Sequence, residues 1–108
     1  MEATGEQLVG ALESLSGSVL LDSLGTWVAS LVPDISPSAA DELCCALLRR
    51  RGDTVLVSDE VGLGVHPPTE LGRHFREELG KVNVAVAEIA DQVLLVVAGR
   101  VLPLERLS

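Results

Sequence analysis

The sequence predicts an α/β domain with a mainly parallel sheet. Three observations carry that expectation. Short apolar runs at residues 19–21, 54–57 and 92–98 are bounded by polar residues and glycines. Segments with helical periodicity separate those runs. The connections between them are built from Gly, Pro, Ser and Asp, residues suited to turning the chain. Strands and helices alternating in this order stack as layers, with helices covering a sheet.

Taken in order, Leu8, Leu12 and Leu15 recur at intervals of four and three, which predicts a helix across residues 5–15. Ser16-Gly17-Ser18 breaks it and releases Val19-Leu20-Leu21, ending in Asp22-Ser23. That pattern suits a buried parallel strand with a polar tip at its carboxyl end. A short helix from Trp27 to Leu31 follows, then the proline-bounded loop "VPDISP". Ser36 or Ser38 can cap the next helix, "SAADELCCALLRRR", whose basic end complements the helix dipole. Gly52-Asp53 turns the chain into a strand at 54–57, and a loop leads to a long helix over about residues 69–90. The strand at 92–98 is the most apolar segment. Gly99-Arg100 then reads as a tight turn into Val101-Leu102-Pro103-Leu104, a short antiparallel edge strand where proline is tolerated. No repeat or linker interrupts the pattern, so residues 1–108 form a single domain.

At 108 residues the chain can enclose one core with little to spare. Hydrophobic residues make up 47%, which argues against disorder. The net charge of −8 argues against nucleic acid as a partner, because a duplex binder needs a basic footprint. No apolar run approaches the roughly 20 residues of a membrane span. The opening "MEATGEQLVGALESL" carries acids where a signal peptide carries Lys or Arg, so a soluble, cytoplasmic chain is expected. Cys44 and Cys45 are adjacent, which excludes an ordinary disulfide between them, and no Cys/His cluster suggests zinc. They read as reduced thiols on or near a helix core face. His66 and His74 are separated by a proline pair and a helix start, a poor arrangement for a shared metal.

Gly62-Leu63-Gly64 follows a strand, yet Pro67 stands at the third glycine position of a dinucleotide fingerprint and Pro68 delays the helix. Dinucleotide binding is therefore rejected. Gly5 and Gly10 have the spacing of a Walker A loop, but Ala11-Leu12 occupies the Lys-Ser/Thr positions. Gly80-Lys81 lies inside the long helix. Asp22, ending an apolar strand, is a candidate Mg²⁺ ligand of the Walker B kind, or else a helix cap. On the long helix, Leu71, Phe75, Leu79, Val82, Val86 and Ile89 share one face at about 100° per residue. Arg73, Arg76, Gly80 and Asn83 form an adjoining stripe. Such a stripe suits clamping phosphate or carboxylate oxygens, and equally suits bridging to acids such as Glu70 or Glu77.

Three segments carry a family resemblance. They are Ser58-Asp59-Glu60-Val61-Gly62-x-Gly64-Val65-x-Pro67, then Leu71-Gly72-Arg73-x-Phe75-Arg76-Glu77-x-x-Gly80-x-x-Asn83, then Ala90-Asp91-x-Val93-x-Leu95-Val96-Val97-Ala98-Gly99. Together they resemble the carboxyl-terminal half of the bifunctional adenosylcobinamide kinase / adenosylcobinamide-phosphate guanylyltransferases of cobalamin synthesis. Upstream, "VLLDSLGTWVASL" is similar to that family's Walker-B-like strand and following helix, with Asp22 at the acidic position.

The resemblance implies a three-layer, mainly parallel sheet of P-loop NTPase (RecA-like) type, truncated at the amino terminus, with a carboxyl-terminal antiparallel edge hairpin. It implies phosphorylation of adenosylcobinamide, then GMP transfer from GTP through a histidine, with Mg²⁺ accompanying GTP or ATP. Ser58, Asp59, Glu60, Gly62, Gly64, Arg73, Arg76 and Asn83 become candidates for nucleotide or substrate binding, and Asp22 for Mg²⁺. No residue is assigned a catalytic role. Asp59 and Val84 depart from the family's usual Asn and Gln, and neither the P-loop nor the guanylylated histidine has a match. His66 and His74 lie in the wrong half for that histidine. The resulting expectation is a truncated or split enzyme inactive alone, working as a homo-oligomer or with a complementing P-loop chain. The alternative is a non-catalytic binding or assembly module derived from the same family.

Overall fold

In a computed structural model, residues 8–60 and 69–106 are described. The chain runs α1 (Leu8–Ser14), β1 (Val19–Asp22), α2 (Leu24–Leu31), α3 (Ala39–Arg49), β2 (Thr54–Val57), α4 (Glu70–Ile89), β3 (Leu94–Val97) and β4 (Arg100–Pro103). β1 and β2 pair in parallel, with Val19 opposite Thr54 and Asp22 opposite Val57. The two strands thus finish side by side, and everything that leaves their carboxyl ends starts from one place.

Among the described residues, helices supply the whole of the fully buried core. Leu8 and Leu12 of α1 join Leu24, Trp27 and Val28 of α2, Ala39, Leu43 and Ala46 of α3, and Leu79, Val82 and Val86 of α4. α3 packs on both α1 and α4, and α2 packs on α4. Val19, Leu21 and Leu56 pack one face of the parallel pair against this cluster. The opposite face is bare: Leu20 is 67% exposed, Val55 58% and Val57 41%. The apolar runs that read as strands buried on both faces are, among the described residues, covered on one face only.

A polar fork and a close glycine contact hold the amino end of the parallel pair. Arg50 follows α3 and turns back toward α1. Its Nε donates to Thr54 Oγ1 at 2.8 Å, and its Nη1 donates to the Leu15 carbonyl at 2.7 Å. Further bonds reach the carbonyls of Leu12 and Gly17. One planar fork thereby satisfies carbonyls that α1 leaves unpaired at its carboxyl end. Beside it, Gly17 has φ +76°, and Gly52 lies so close to the Gly17 carbonyl that a side chain at 52 has no room.

Several boundaries differ from the sequence expectation. α2 begins at Leu24, three residues before Trp27, because Ser23 caps it: Ser23 Oγ accepts from Thr26 N at 3.3 Å. At α3 the preceding residue is Ser38, whose hydroxyl donates to Glu42 Oε1 rather than capping a backbone amide. On α4, Leu79, Val82 and Val86 are buried as the periodicity predicts, but Leu71 is 54% exposed. Thr69 caps α4, accepting from Gly72 N at 3.0 Å.

The expected carboxyl-terminal antiparallel hairpin is present, while the expected mainly parallel sheet is seen, among the described residues, as the β1–β2 pair alone. Among the described residues, β3 pairs only with β4, antiparallel, in a sheet separate from β1 and β2. Ala98 and Gly99, with φ of 50° and 72°, form a two-residue turn whose twist matches the paired strands. Such a turn gives β3 a neighbour at almost no loop-closure cost. All four residues of β4 are exposed.

Candidate functional site

Of the residues singled out in the sequence, Asp22, Ser58, Asp59, Glu60 and Asn83 meet at the carboxyl end of the parallel pair. In open α/β sheets this is where loops leave for the helices and where ligands sit. Asp22 is the last residue of β1 and is exposed. Ser23 follows and caps α2, so the candidate metal ligand itself is not used as the cap. β2 ends at Val57, and the chain continues through Ser58, Asp59 and Glu60, all exposed.

Asn83, in the middle of α4, reaches this loop. Its Nδ2 donates to the Asp59 carbonyl at 3.0 Å, and its Oδ1 accepts from Ser58 Oγ at 2.5 Å. The amide orientation follows from chemistry, because a carbonyl only accepts and the group facing Asp59 must be the nitrogen. Asp59's side chain turns the other way, toward the start of α2. A β-carbon placed on Gly25 would lie 3.3 Å from Asp59 Oδ2 and 3.7 Å from Leu79 Cδ2. The side-chain-free face of Gly25 therefore lets the Asp59 carboxylate come close to α2. The carboxylate sits beside a helix amino terminus, where negative charge is favoured.

Arg73 is exposed, and Arg76 is half-buried with its Nη1 sealed from solvent. Both are engaged within the chain, as is Glu60. Arg76 shares the Asn83 side of α4, two turns nearer the amino terminus, or about 10 Å along the axis. Gly62 and Gly64 lie outside the described residues, as does His66. His74 faces Glu78 at 3.5 Å along α4.

The structure thus joins Ser58, Asp59 and Asn83 by direct bonds and sets Asp22 on the adjacent strand end. The role of Gly25 went unread in the sequence, although a glycine in the first turn of a helix is a visible signal of close approach. Among the described residues, no three His, Cys, Asp or Glu side chains are grouped to hold a metal. A lone Asp22 nevertheless fits the way Mg²⁺ is held, through one or two carboxylates plus phosphate oxygens. No described helix is long and apolar enough to cross a membrane.

What this placement defines first is a class: an α/β domain whose polar loops gather at the carboxyl end of a parallel strand pair. The profile of the family described as cobinamide kinase / cobinamide phosphate guanyltransferase matches residues 2–104. The chain belongs to that family. The bifunctional adenosylcobalamin biosynthesis protein CobP of Pseudomonas aeruginosa is 37% identical over 91 residues, covering 81% of this chain and 53% of that protein. The bifunctional adenosylcobalamin biosynthesis protein CobU of Salmonella typhimurium is 47% identical over 57 residues, covering 53% of this chain and 32% of that protein. CobU of Escherichia coli is 46% identical over 57 residues, with the same coverage of 53% and 32%. The chain therefore spans about a third to a half of the length of these relatives.

Proposed function

We propose that this chain supplies one wall of the nucleotide and substrate site in an adenosylcobinamide kinase / adenosylcobinamide-phosphate guanylyltransferase. The observation that carries this reading is the meeting of Asp22 and the Ser58-Asp59-Glu60 loop at the carboxyl ends of adjacent parallel strands. Phosphoryl transfer draws mainly on positioning and charge neutralisation, and that end of a sheet is suited to both. Asp22 holds the Mg²⁺ that accompanies GTP or ATP. When bound, that ion neutralises phosphate charge. Ser58, Asp59, Glu60, Gly62 and Gly64 border the nucleotide or the cobinamide. Arg73 and Arg76 support that border from α4.

The sequence contains no Walker A segment, so under this reading the phosphate cradle belongs to another stretch of polypeptide, in the same or a separate chain. The bare face of Leu20, Val55 and Val57 is consistent with that arrangement. It has the apolar character of a sheet face that a further layer covers in a three-layer α/β fold. Where no such layer is supplied, this apolar face is expected to drive self-association.

The test is reconstitution. This chain is mixed with a P-loop-bearing segment from a family relative, and adenosylcobinamide phosphorylation and GMP transfer are measured. Activity that requires both pieces and is lost in Asp22→Ala supports the assignment. Full activity in Asp22→Ala removes the metal role, and failure of every mixture to turn over removes the enzymatic reading.

A further inference from the structure

Asn83 was a candidate ligand contact on sequence grounds, and its hydrogen bonds point elsewhere. Both ends of its amide are engaged by the β2–α4 connection: Nδ2 donates to the Asp59 carbonyl and Oδ1 accepts from the Ser58 hydroxyl. These bonds span 24 and 25 residues of sequence, so they fix tertiary position and not merely a local turn. They act on two consecutive residues, one through its side chain and one through its backbone. That pairing restrains both the path of the loop and its rotation. The base of the clamp is firm, because Asn83 sits next to buried Val82 on a helix whose Leu79 and Val86 are also in the core. On the far side of the loop, the Asp59 carboxylate lies against the first turn of α2 at Gly25.

We propose that Asn83 is a positioning residue that sets the path of residues 58–60 over the carboxyl end of β2 through these two bonds, without itself contacting the ligand. Its expected consequence for binding rests on the nucleotide reading above; the clamp itself does not. With Asn83 in place, Ser58 keeps its hydroxyl turned to α4, and Asp59 keeps its carboxylate turned to α2. The loop then meets a ligand already shaped, and the ligand does not have to order it. Preorganisation of that kind appears as affinity, since ordering costs oppose binding.

The experiment uses the ¹⁵N-labelled full chain, alone and together with the P-loop-bearing segment. Backbone order parameters and relaxation dispersion are recorded for residues 58–60, with unfolding midpoints measured in parallel. Asn83→Ala is expected to raise mobility at 58–60 while the amides of Leu43, Leu79 and Val82 stay rigid. Asn83→Asp keeps the acceptor for Ser58 but sets a carboxylate oxygen against the Asp59 carbonyl, so it should also raise mobility at 58–60; it serves if the alanine variant fails to fold. Titration with Mg·GTP should show affinity falling about tenfold in Asn83→Ala, the weight of one hydrogen bond of ordinary strength.

Unchanged mobility at 58–60 in both variants overturns the proposal. Weakened Mg·GTP binding with unchanged mobility also overturns it, because Asn83 is then a direct contact. If the unsubstituted chain with its partner segment gives no response to Mg·GTP, the nucleotide reading fails. The clamp is then judged on mobility alone.

Discussion

The two ends of the parallel strand pair are both polar, and they use polarity in opposite ways. At the amino end, Arg50 is half-buried, and its guanidinium is committed to Thr54 and to the backbone carbonyls of Leu12, Leu15 and Gly17. At the carboxyl end, Asp22, Ser58, Asp59 and Glu60 are all exposed. There a helix side chain grips the loop from below. One end closes the fold by saturating donors and acceptors. The other is held in shape while its carboxylates stay accessible. The contrast separates a structural polar cluster from a candidate functional one: the first directs its hydrogen bonds into the fold, and the second keeps exposed groups on a restrained frame.

The sharpest way to break this comparison is to remove Arg50. Arg50→Ala strips hydrogen bonds from several backbone carbonyls, some at the carboxyl end of α1, and should cost about 3 kcal/mol of stability. Arg50→Lys should recover little of this, because an ammonium cannot reproduce the fork. Urea denaturation of both variants provides the check, and a loss below about 0.5 kcal/mol, within the range of ordinary surface substitutions, would make the amino end no more structural than the other. The neighbouring ion pair between Arg49 and Glu13, at 3.3 Å and well exposed, should contribute far less.

Gly52→Ala comes next. Its new methyl group would meet the backbone carbonyl of Gly17, which cannot swing aside as a flexible side chain can. Overpacking of this kind costs about 1–3 kcal/mol. Gly25→Val is the matching probe at the carboxyl end, where the obstacles are the Asp59 carboxylate and the Leu79 side chain. It should displace the loop, perturbing the amide shifts of residues 58–60 more than it lowers the unfolding midpoint. Equal global destabilisation by the two variants would erase the distinction between the ends.

Asp22→Asn sharpens the comparison from the functional side. Asp22 is exposed on the last residue of β1, so stability should change by no more than about 0.5 kcal/mol. Turnover in the reconstituted mixture should nevertheless fall. A variant equally stable and fully active would remove the proposed metal role of Asp22.

These distinctions were unevenly legible in the sequence. β2 and α4 could be read directly, since an apolar run between turn residues and a clean helical face each have one simple solution. Ser23 as the cap of α2 was overshadowed by Asp22 beside it, although Thr26 stands three residues on and completes the cap. The apolar run at 92–98 and the turn signal after it announced the antiparallel hairpin, but not that, among the described residues, this hairpin stands apart from β1 and β2. Periodicity records which faces are apolar, whereas the Ala98-Gly99 turn decides which strand is near. Arg50 read as one of three arginines at a helix end, and Asn83 as part of a polar stripe, because their partners lie tens of residues away in sequence. Side-chain bonds of that range leave no local pattern to read.

Cys44 gives the smallest effect and a control lying at neither end. It sits half-buried on α3, and burial raises its thiol above the ordinary value of 9.0, with Asp41 and Cys45 adding to the rise. A group whose pKa is raised on folding contributes stability below its unfolded value, and that contribution is lost as pH rises through the folded value. Cys44 should therefore steepen the loss of stability above about pH 9 without affecting it at pH 7. Unfolding midpoints at pH 7 and pH 10 for the natural chain and Cys44→Ala test this, the alanine variant showing the shallower decline. Iodoacetamide should also modify exposed Cys45 before Cys44, since burial withholds both access and the thiolate. If Cys44 reacts first, α3 opens more readily than its packing against α1 and α4 implies, and the amino-end anchoring attributed to Arg50 is weaker than its hydrogen bonds indicate.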